Sequence, residues 1–260
     1  MDLELEGRRA LVTGASKGIG RAIAERLWAE GCDLVLVGRS IANLDLVAAG
    51  LVAKKSRSVT TVAADLPDEQ AIRRLAADHS DVDIVVNNAG AIPGGSIQDI
   101  DSQTWRQGWD GKVFGYVGIM REFLRIMEQR KRGVILNIIG AAGERPSADY
   151  IAGSAGNAAL MALTRALGAN SPAAGVRVVG INPGPVLTGR LESLLRRRAE
   201  SQFGDAERWP AFLEQFPFGR AGTPEEVAAM AALLVSDLGG YISGTIITID
   251  GGLTARRHSY

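Results

Sequence analysis

A doubly wound parallel α/β sheet with helices on both faces is the fold this sequence predicts, and three features predict it. Short β-branched runs alternate with longer alanine-rich stretches of helical periodicity. Several of the runs are apolar at successive positions, as strands covered on both sides must be. A glycine-rich turn joins the first run to the first helical stretch. Such alternation builds right-handed crossovers between parallel strands.

The predicted strands, in order, are RRALVTG (8–14), DLVLVG (33–38), SVTTVAA (58–64), VDIVVNN (82–88), GVILNII (133–139), VRVVGIN (176–182) and TIITID (245–250). GRAIAERLWAEG (20–31) and PEEVAAMAALLVSD (224–237) typify the helices between them. No linker, repeat or low-complexity tract divides the chain, so residues 1–260 read as a single domain. Residues 190–217 lack a strand pattern and read as a helical insertion or lid.

The bulk numbers fit this expectation. With 260 residues, 46% of them hydrophobic, the chain can bury one sizeable core. Lys plus Arg and Asp plus Glu stand at 29 each, so no net field draws the protein to nucleic acid or an anionic membrane. Cys32, the one cysteine, excludes an internal disulfide and is compatible with a reducing cytoplasm. The start of the chain is acidic without an apolar core, and no run approaches the ~18–20 apolar residues that span a bilayer. A soluble, cytoplasmic protein is expected.

TGASKGIG (13–20) follows the first strand and opens a helix, with Gly14, Gly18 and Gly20 spaced G-x-x-x-G-x-G. Its chemistry is that of the backbone. Glycines permit a tight turn and close approach of a pyrophosphate, and the helix that follows directs free N–H groups and its positive dipole end at the anion. Ser16, Lys17 and Ile19 complete this loop.

These residues, with NNAG (87–90), NPGPVLT (182–188), FGRAGTPEEVA and GTIITIDGG in order, make the chain similar to the short-chain dehydrogenase/reductase family over nearly its whole length. The resemblance implies a seven-stranded Rossmann-type sheet, a nicotinamide cofactor and oxidoreduction of a carbonyl or alcohol. It places Asp65 and Leu66 beside the adenine. Asn88, Ala89 and Gly90 fall beside the adenosine ribose, and Pro183, Gly184, Val186 and Thr188 around the nicotinamide carboxamide. An acid at the end of the second strand would select NAD; here Gly38, Arg39 and Ser40 stand there, and Arg39 with Lys17 can pair with a 2′-phosphate. NADP(H) is therefore preferred, with NAD(H) possible and stacking of Arg39 on the adenine as the alternative. No metal is expected.

The family's proton-handling residues are an asparagine, a serine, a tyrosine and, four residues after the tyrosine, a lysine. Alignment places Lys112, Gly140, Gly153 and Asn157 at those positions, and no Y-x-x-x-K occurs between 140 and 165. In one reading the function has relocated. Tyr150, three residues before Gly153, supplies the phenol, and Lys112 extends a cation into space left by Asn157. In the other, Tyr150 packs, Lys112 is paired or solvated, and the protein is a silent or regulatory nucleotide binder, or a non-redox lyase or hydrolase. Asp149 is expected to cap the helix that follows, with Ser154 a further hydroxyl candidate.

The remaining signals have plainer expectations. Arg190, Arg196, Arg197 and Arg198 read either as an anion-receiving lid or as a solvated face with Glu192 and Glu200. Trp105, Trp109 and Tyr116 read as a buried helix stripe, and Cys32 as a core thiol. His79 and His258, far apart, support no triad or metal cluster. The small-residue helices around Gly108–Gly118 and 153–169 resemble the family's assembly helices, implying a homotetramer, with a dimer as the alternative.

Overall fold

The computed structural model describes residues 2–52 and 57–256; His258 lies outside them. Seven strands form one parallel sheet in the order β3-β2-β1-β4-β5-β6-β7. They are β1 (Arg9–Thr13), β2 (Asp33–Gly38), β3 (Val59–Ala63), β4 (Ile84–Asn87), β5 (Gly133–Ile138), β6 (Val176–Pro183) and β7 (Ile246–Ile249). Each predicted run contains one. The helices are α1 (Gly18–Ala29), α2 (Ile41–Val52), α3 (Glu69–Asp78), α4 (Ser102–Trp109), α5 (Gly115–Arg130), α6 (Ile151–Asn170), α7 (Gly189–Phe203) and α8 (Pro224–Val235).

The pleat sorts strand residues between two cores. Val86, Leu136 and Val179 pack on one face with Leu27 of α1, Leu44 of α2 and Val227 of α8. Their neighbours Val85, Ile135 and Val178 pack on the other with Ile72 of α3, Phe123 of α5 and Leu160 of α6. Each fully buried side chain of this size contributes about 1.5–3 kcal/mol. Because all strands run parallel, their carboxyl ends share one edge. The strand order reverses between β1 and β4, which opens a crevice there.

Local signals set the helix starts. Asp68 accepts from Gln70 N–H at 2.8 Å, Asp101 from Thr104 N–H at 2.7 Å, and Thr223 and Glu226 form a reciprocal capping box. Between α4 and α5 the backbone forms a π-turn, Asp110–Phe114, with Lys112 at its centre. Such turns break helical register and recur at functional sites.

Residues 190–217 comprise most of α7, a 3₁₀ segment, Ala206–Gln215, and the short turns that follow each. Leu195, Ala199 and Phe212 form a small core of their own here. Arg196 pairs with Glu192 and Glu207, Arg198 lies over the Phe212 ring at 4.5 Å, and Arg197 is exposed. Cys32 is buried, and its thiol is pushed up to about 12 by desolvation. Tyr116 is fully buried, and Trp105 and Trp109 are half-buried with ring centroids 6.2 Å apart. Among the described residues no helix is long and apolar enough to cross a membrane, and no group of three His, Cys, Asp or Glu stands close enough to hold a metal.

Candidate active site and cofactor crevice

Every residue predicted to hold a dinucleotide falls on the carboxyl edge of the sheet. Gly14, Ser16 and Lys17 form the turn after β1, and Gly18, Ile19 and Gly20 begin α1. Arg39 follows β2, Asp65 and Leu66 follow β3, and Asn88, Ala89 and Gly90 follow β4. Pro183 ends β6, with Gly184, Val186 and Thr188 beyond it.

One residue that the sequence reading passed over ties the switch point together. Thr13, fully buried at the end of β1, accepts through Oγ1 from Asn88 N–H at 2.9 Å and Ala89 N–H at 3.0 Å, and donates to Val86 O at 3.2 Å. Asn88 Nδ2 returns to Thr13 O at 3.0 Å and Gly14 O at 3.3 Å. Gly20 is held so closely that a methyl group there would collide with Asn88 Nδ2 and Gly14 O. The sequence signal was a hydroxyl ending an otherwise apolar strand. A buried hydroxyl needs partners, and the next loop supplies them.

The residues fit a dinucleotide. Lys17, the residue before α1, gives that helix no side-chain cap, so the N–H groups of its first turn remain for an anion. A methyl group on Gly18 would lie 3.3 Å from Thr188 Cγ2, which brings the loops after β1 and β6 together. Thr188 Oγ1 caps α7, accepting from Leu191 N–H at 3.4 Å. Val186 bridges Gly222 through its neighbours: Leu187 N–H donates to Gly222 O, and Gly222 N–H to Pro185 O. That pattern leaves the N–H and carbonyl of Val186 itself on the opposite side. Arg39 and Lys17 are exposed.

The reaction end is built by α6, the π-turn and the end of β5. A one-residue bridge between Gly95 and Tyr150 sets where α6 starts. Gly95 N–H donates to Asp149 O at 2.8 Å and Ile151 N–H to Gly95 O at 3.3 Å. Tyr150, not Asp149, is therefore the residue before the helix, and it makes no side-chain cap. The backbone pairing at Gly95 overrides the capping preference of Asp149. Ser154 is not a free hydroxyl either: it is 2% exposed, and its Oγ accepts from Ser147 N–H at 3.1 Å. The Tyr150 ring lies against Gly153, where any β-carbon would overlap it.

Lys112 is 8% exposed, and its Nζ donates to Ile139 O at 2.5 Å. Desolvation, with the positive charge of Arg190 adding to it, pulls its amine down to about 7. Arg190 itself donates to Ile92 O at 3.0 Å. The α-carbon of Gly90 packs on Lys112: a methyl group at Gly90 would stand 2.7 Å from Lys112 Cβ. Trp109, one turn before Lys112, donates from Nε1 to Ala152 O at 3.0 Å and fastens the π-turn to α6. Tyr116 O–H donates to Ile138 O at 2.7 Å, so that phenol is structural, and burial raises it far above its usual range.

Gly140 and Asn157 meet. A β-carbon on Gly140 would lie 2.9 Å from Asn157 Nδ2, and Asn157 is 2% exposed. Asn182 Oδ1 accepts from Gly140 N–H at 3.3 Å. Beneath them Asn87 donates to Asn137, and Asn137 to Thr164, each at 2.9 Å, linking β4, β5 and α6.

Comparison with known proteins agrees with this geometry. Residues 14–254 match the family model described as enoyl-(acyl carrier protein) reductase. Galactitol 2-dehydrogenase (L-tagatose-forming) of Cereibacter sphaeroides is 36% identical over 255 residues, covering 96% of each chain. The L-sorbose reductase of Gluconobacter frateurii, solved with NADPH and L-sorbose, superposes with a TM-score of 0.91 at 28% identity, over 99% of this chain and 100% of that one. A short-chain dehydrogenase/reductase family protein superposes at 0.85 with 34% identity, over 97% of this chain and 100% of that one. The crevice, the glycine turn and these likenesses together make the chain a member of the short-chain dehydrogenase/reductase family of NAD(P)-dependent oxidoreductases.

Proposed function

We propose that the protein is an NADP(H)-dependent oxidoreductase that interconverts a ketone and a secondary alcohol, with Tyr150 as proton donor and Lys112 as the assisting amine. The observation that carries it is the overlap between the Tyr150 ring and the space that a side chain on Gly153 would fill. The phenol stands over the helix position left empty, while a buried amine reaches the end of β5 from the π-turn. When bound, the cofactor supplies two electrons and a hydrogen to the carbonyl carbon, and the oxygen takes a proton. The chain supplies placement and that proton.

Preference for NADP(H) is supported by exposed Arg39 and Lys17, by the lack of an acid at 38–40, and by the NADPH named with the L-sorbose reductase structure. The substrate class is supported by the sugar alcohols and ketoses in the relatives' names, so polyols and ketoses are the first compounds to try. Residues 190–217 act as the substrate lid. The assembly is a homotetramer, with a dimer as the alternative, formed through α5 and the exposed alanine face of α6 (Ala155, Ala158, Ala162, Ala166), since Gly115 and Gly118 of α5 pack within the protomer on Leu66 and Ile72. Light scattering measures the assembly.

NADPH fluorescence on titration, followed by oxidation at 340 nm against L-sorbose and L-xylulose, tests the activity. Tyr150→Phe and Lys112→Met should each depress turnover by ~10²–10⁴-fold. Tight NADPH binding with no oxidation of cofactor would establish the regulatory alternative instead. Product formed without cofactor would establish a lyase or hydrolase.

A further inference from the structure

The polar groups around the end of β5 nearly all have partners within the protein. Lys112 Nζ has Ile139 O, Tyr116 O–H has Ile138 O, and Asn182 Oδ1 has Gly140 N–H. Asn87 Oδ1 on neighbouring β4 lacks a partner among the described residues, but its Nδ2 donates to Asn137; the amide of Asn157 is unpaired at both ends. Its Oδ1 is enclosed and unpaired among the described residues. Its Nδ2 makes no hydrogen bond there either, yet it is not enclosed, and it faces the bare α-carbon of Gly140. A buried amide without partners is costly, and nothing structural offsets that cost here. The open N–H₂ lies where no side chain from Gly140 intervenes. Asn157 also follows Gly153 by one helical turn, on the face that the Tyr150 ring covers.

We infer that Asn157 is a catalytic residue whose Nδ2–H donates to the reacting oxygen of the substrate, a second donor beside the phenol of Tyr150. As the carbonyl carbon gains its hydrogen, charge builds on that oxygen. A preorganised N–H in a site that excludes water stabilises the charge without reorganising. Gly140 is held at a φ of +133°, which itself favours glycine, and a side chain there would also push the amide aside. This inference rests on the redox reading above.

The test uses full-length protein with NADPH and two unlike ketones, L-sorbose and methyl acetoacetate. Asn157→Leu removes the donor. Asn157→Asp keeps the shape but donates only while protonated. Both should fold, as judged by melting temperature, and should bind NADPH like wild type. Turnover should fall ~10²–10³-fold in Asn157→Leu. In Asn157→Asp it should fall further at pH 8 and recover as pH drops, a profile that a packing role would not produce. Binding of 2,2,2-trifluoroethanol, an alkoxide mimic, to the enzyme–NADP⁺ complex should weaken in both by calorimetry. Wild-type turnover that stays within threefold in Asn157→Leu overturns the assignment and leaves the redox reading standing. Failure of the wild type to bind NADPH, or to oxidise it with either ketone, overturns the redox reading and this assignment with it.

Discussion

The ring of Tyr150 rests on the α-carbon of Gly153, and a β-carbon at 153 could not coexist with the ring in its present place. The two residues lie one turn apart at the start of α6, so the phenol occupies space that a larger residue would claim for itself. Gly153→Ala should therefore displace Tyr150 and lower turnover at least tenfold, while NADPH binding is unchanged. Gly153→Ser should behave alike, because the displaced volume starts at the β-carbon in both. Steady-state kinetics against the same ketone, with cofactor binding measured separately, check this. Unchanged turnover in Gly153→Ala would remove Tyr150 from the mechanism.

Lys112 gives a pH dependence with a definite sign. Its amine titrates near 10.5 when unfolded and is pulled down to about 7 in the fold by burial and by Arg190. Between those values the unfolded chain holds a proton that the native protein has released. Stability therefore rises with pH from about 7 to 10.5, and the full penalty of burying the ammonium is felt below that window. In Lys112→Met this dependence disappears. The stability of the variant relative to wild type should be more favourable at pH 6 than at pH 9, as denaturant unfolding at the two pH values would show. The variant leaves Ile139 O without its donor at every pH, so the difference between the two pH values is the informative quantity.

Thr13 makes a prediction about the fold rather than the chemistry. Thr13→Val keeps the shape but strands the N–H groups of Asn88 and Ala89, which both donate to Oγ1. Each stranded donor costs about 1–3 kcal/mol when buried. Urea unfolding should show a loss of this order, and NADPH affinity should fall as the loop after β4 loosens. Gly20→Ala acts on the same knot from the other side and should be at least as damaging, because its methyl group would strike Asn88 Nδ2 and Gly14 O.

Arg39 stands exposed just past β2. A charge-assisted pair between its guanidinium and a 2′-phosphate is worth about 1.5–3 kcal/mol. Arg39→Ala should weaken NADPH binding roughly 10–100-fold and leave NADH nearly untouched, so that the ratio of the two dissociation constants moves toward one. Arg39→Asp should reverse the preference. If the arginine only stacks on the adenine, both cofactors weaken together, and fluorescence titration with each separates the outcomes.

The strands, their parallel direction and the cofactor edge were legible in the chain itself. Runs of Val, Ile and Leu bounded by glycine and polar residues signal strands through local propensity and period, and glycine spacing is a local demand of the turn after β1. The replacement of four expected side chains by Lys112, Gly140, Gly153 and Asn157 was equally plain, since it needs only counting along the sequence. What took the place of those side chains was not legible. Asp149 has the composition of a cap, yet the bridge from Gly95 to Tyr150 starts α6 one residue later. Ser154 has the composition of a free hydroxyl, yet it is spent on Ser147. Thr13 showed a hydroxyl ending an apolar strand, but not that its partners would be two amides from a loop 75 and 76 residues away. Only the tertiary structure decided that the Tyr150 ring fills the space above Gly153, that a π-turn carries Lys112 to Ile139, and that Asn157 keeps an unpaired amide beside Gly140. Periodicity and turn chemistry act over a few residues and are written in order along the chain. Close packing and the pairing of buried polar groups join residues that only the folded sheet brings within reach.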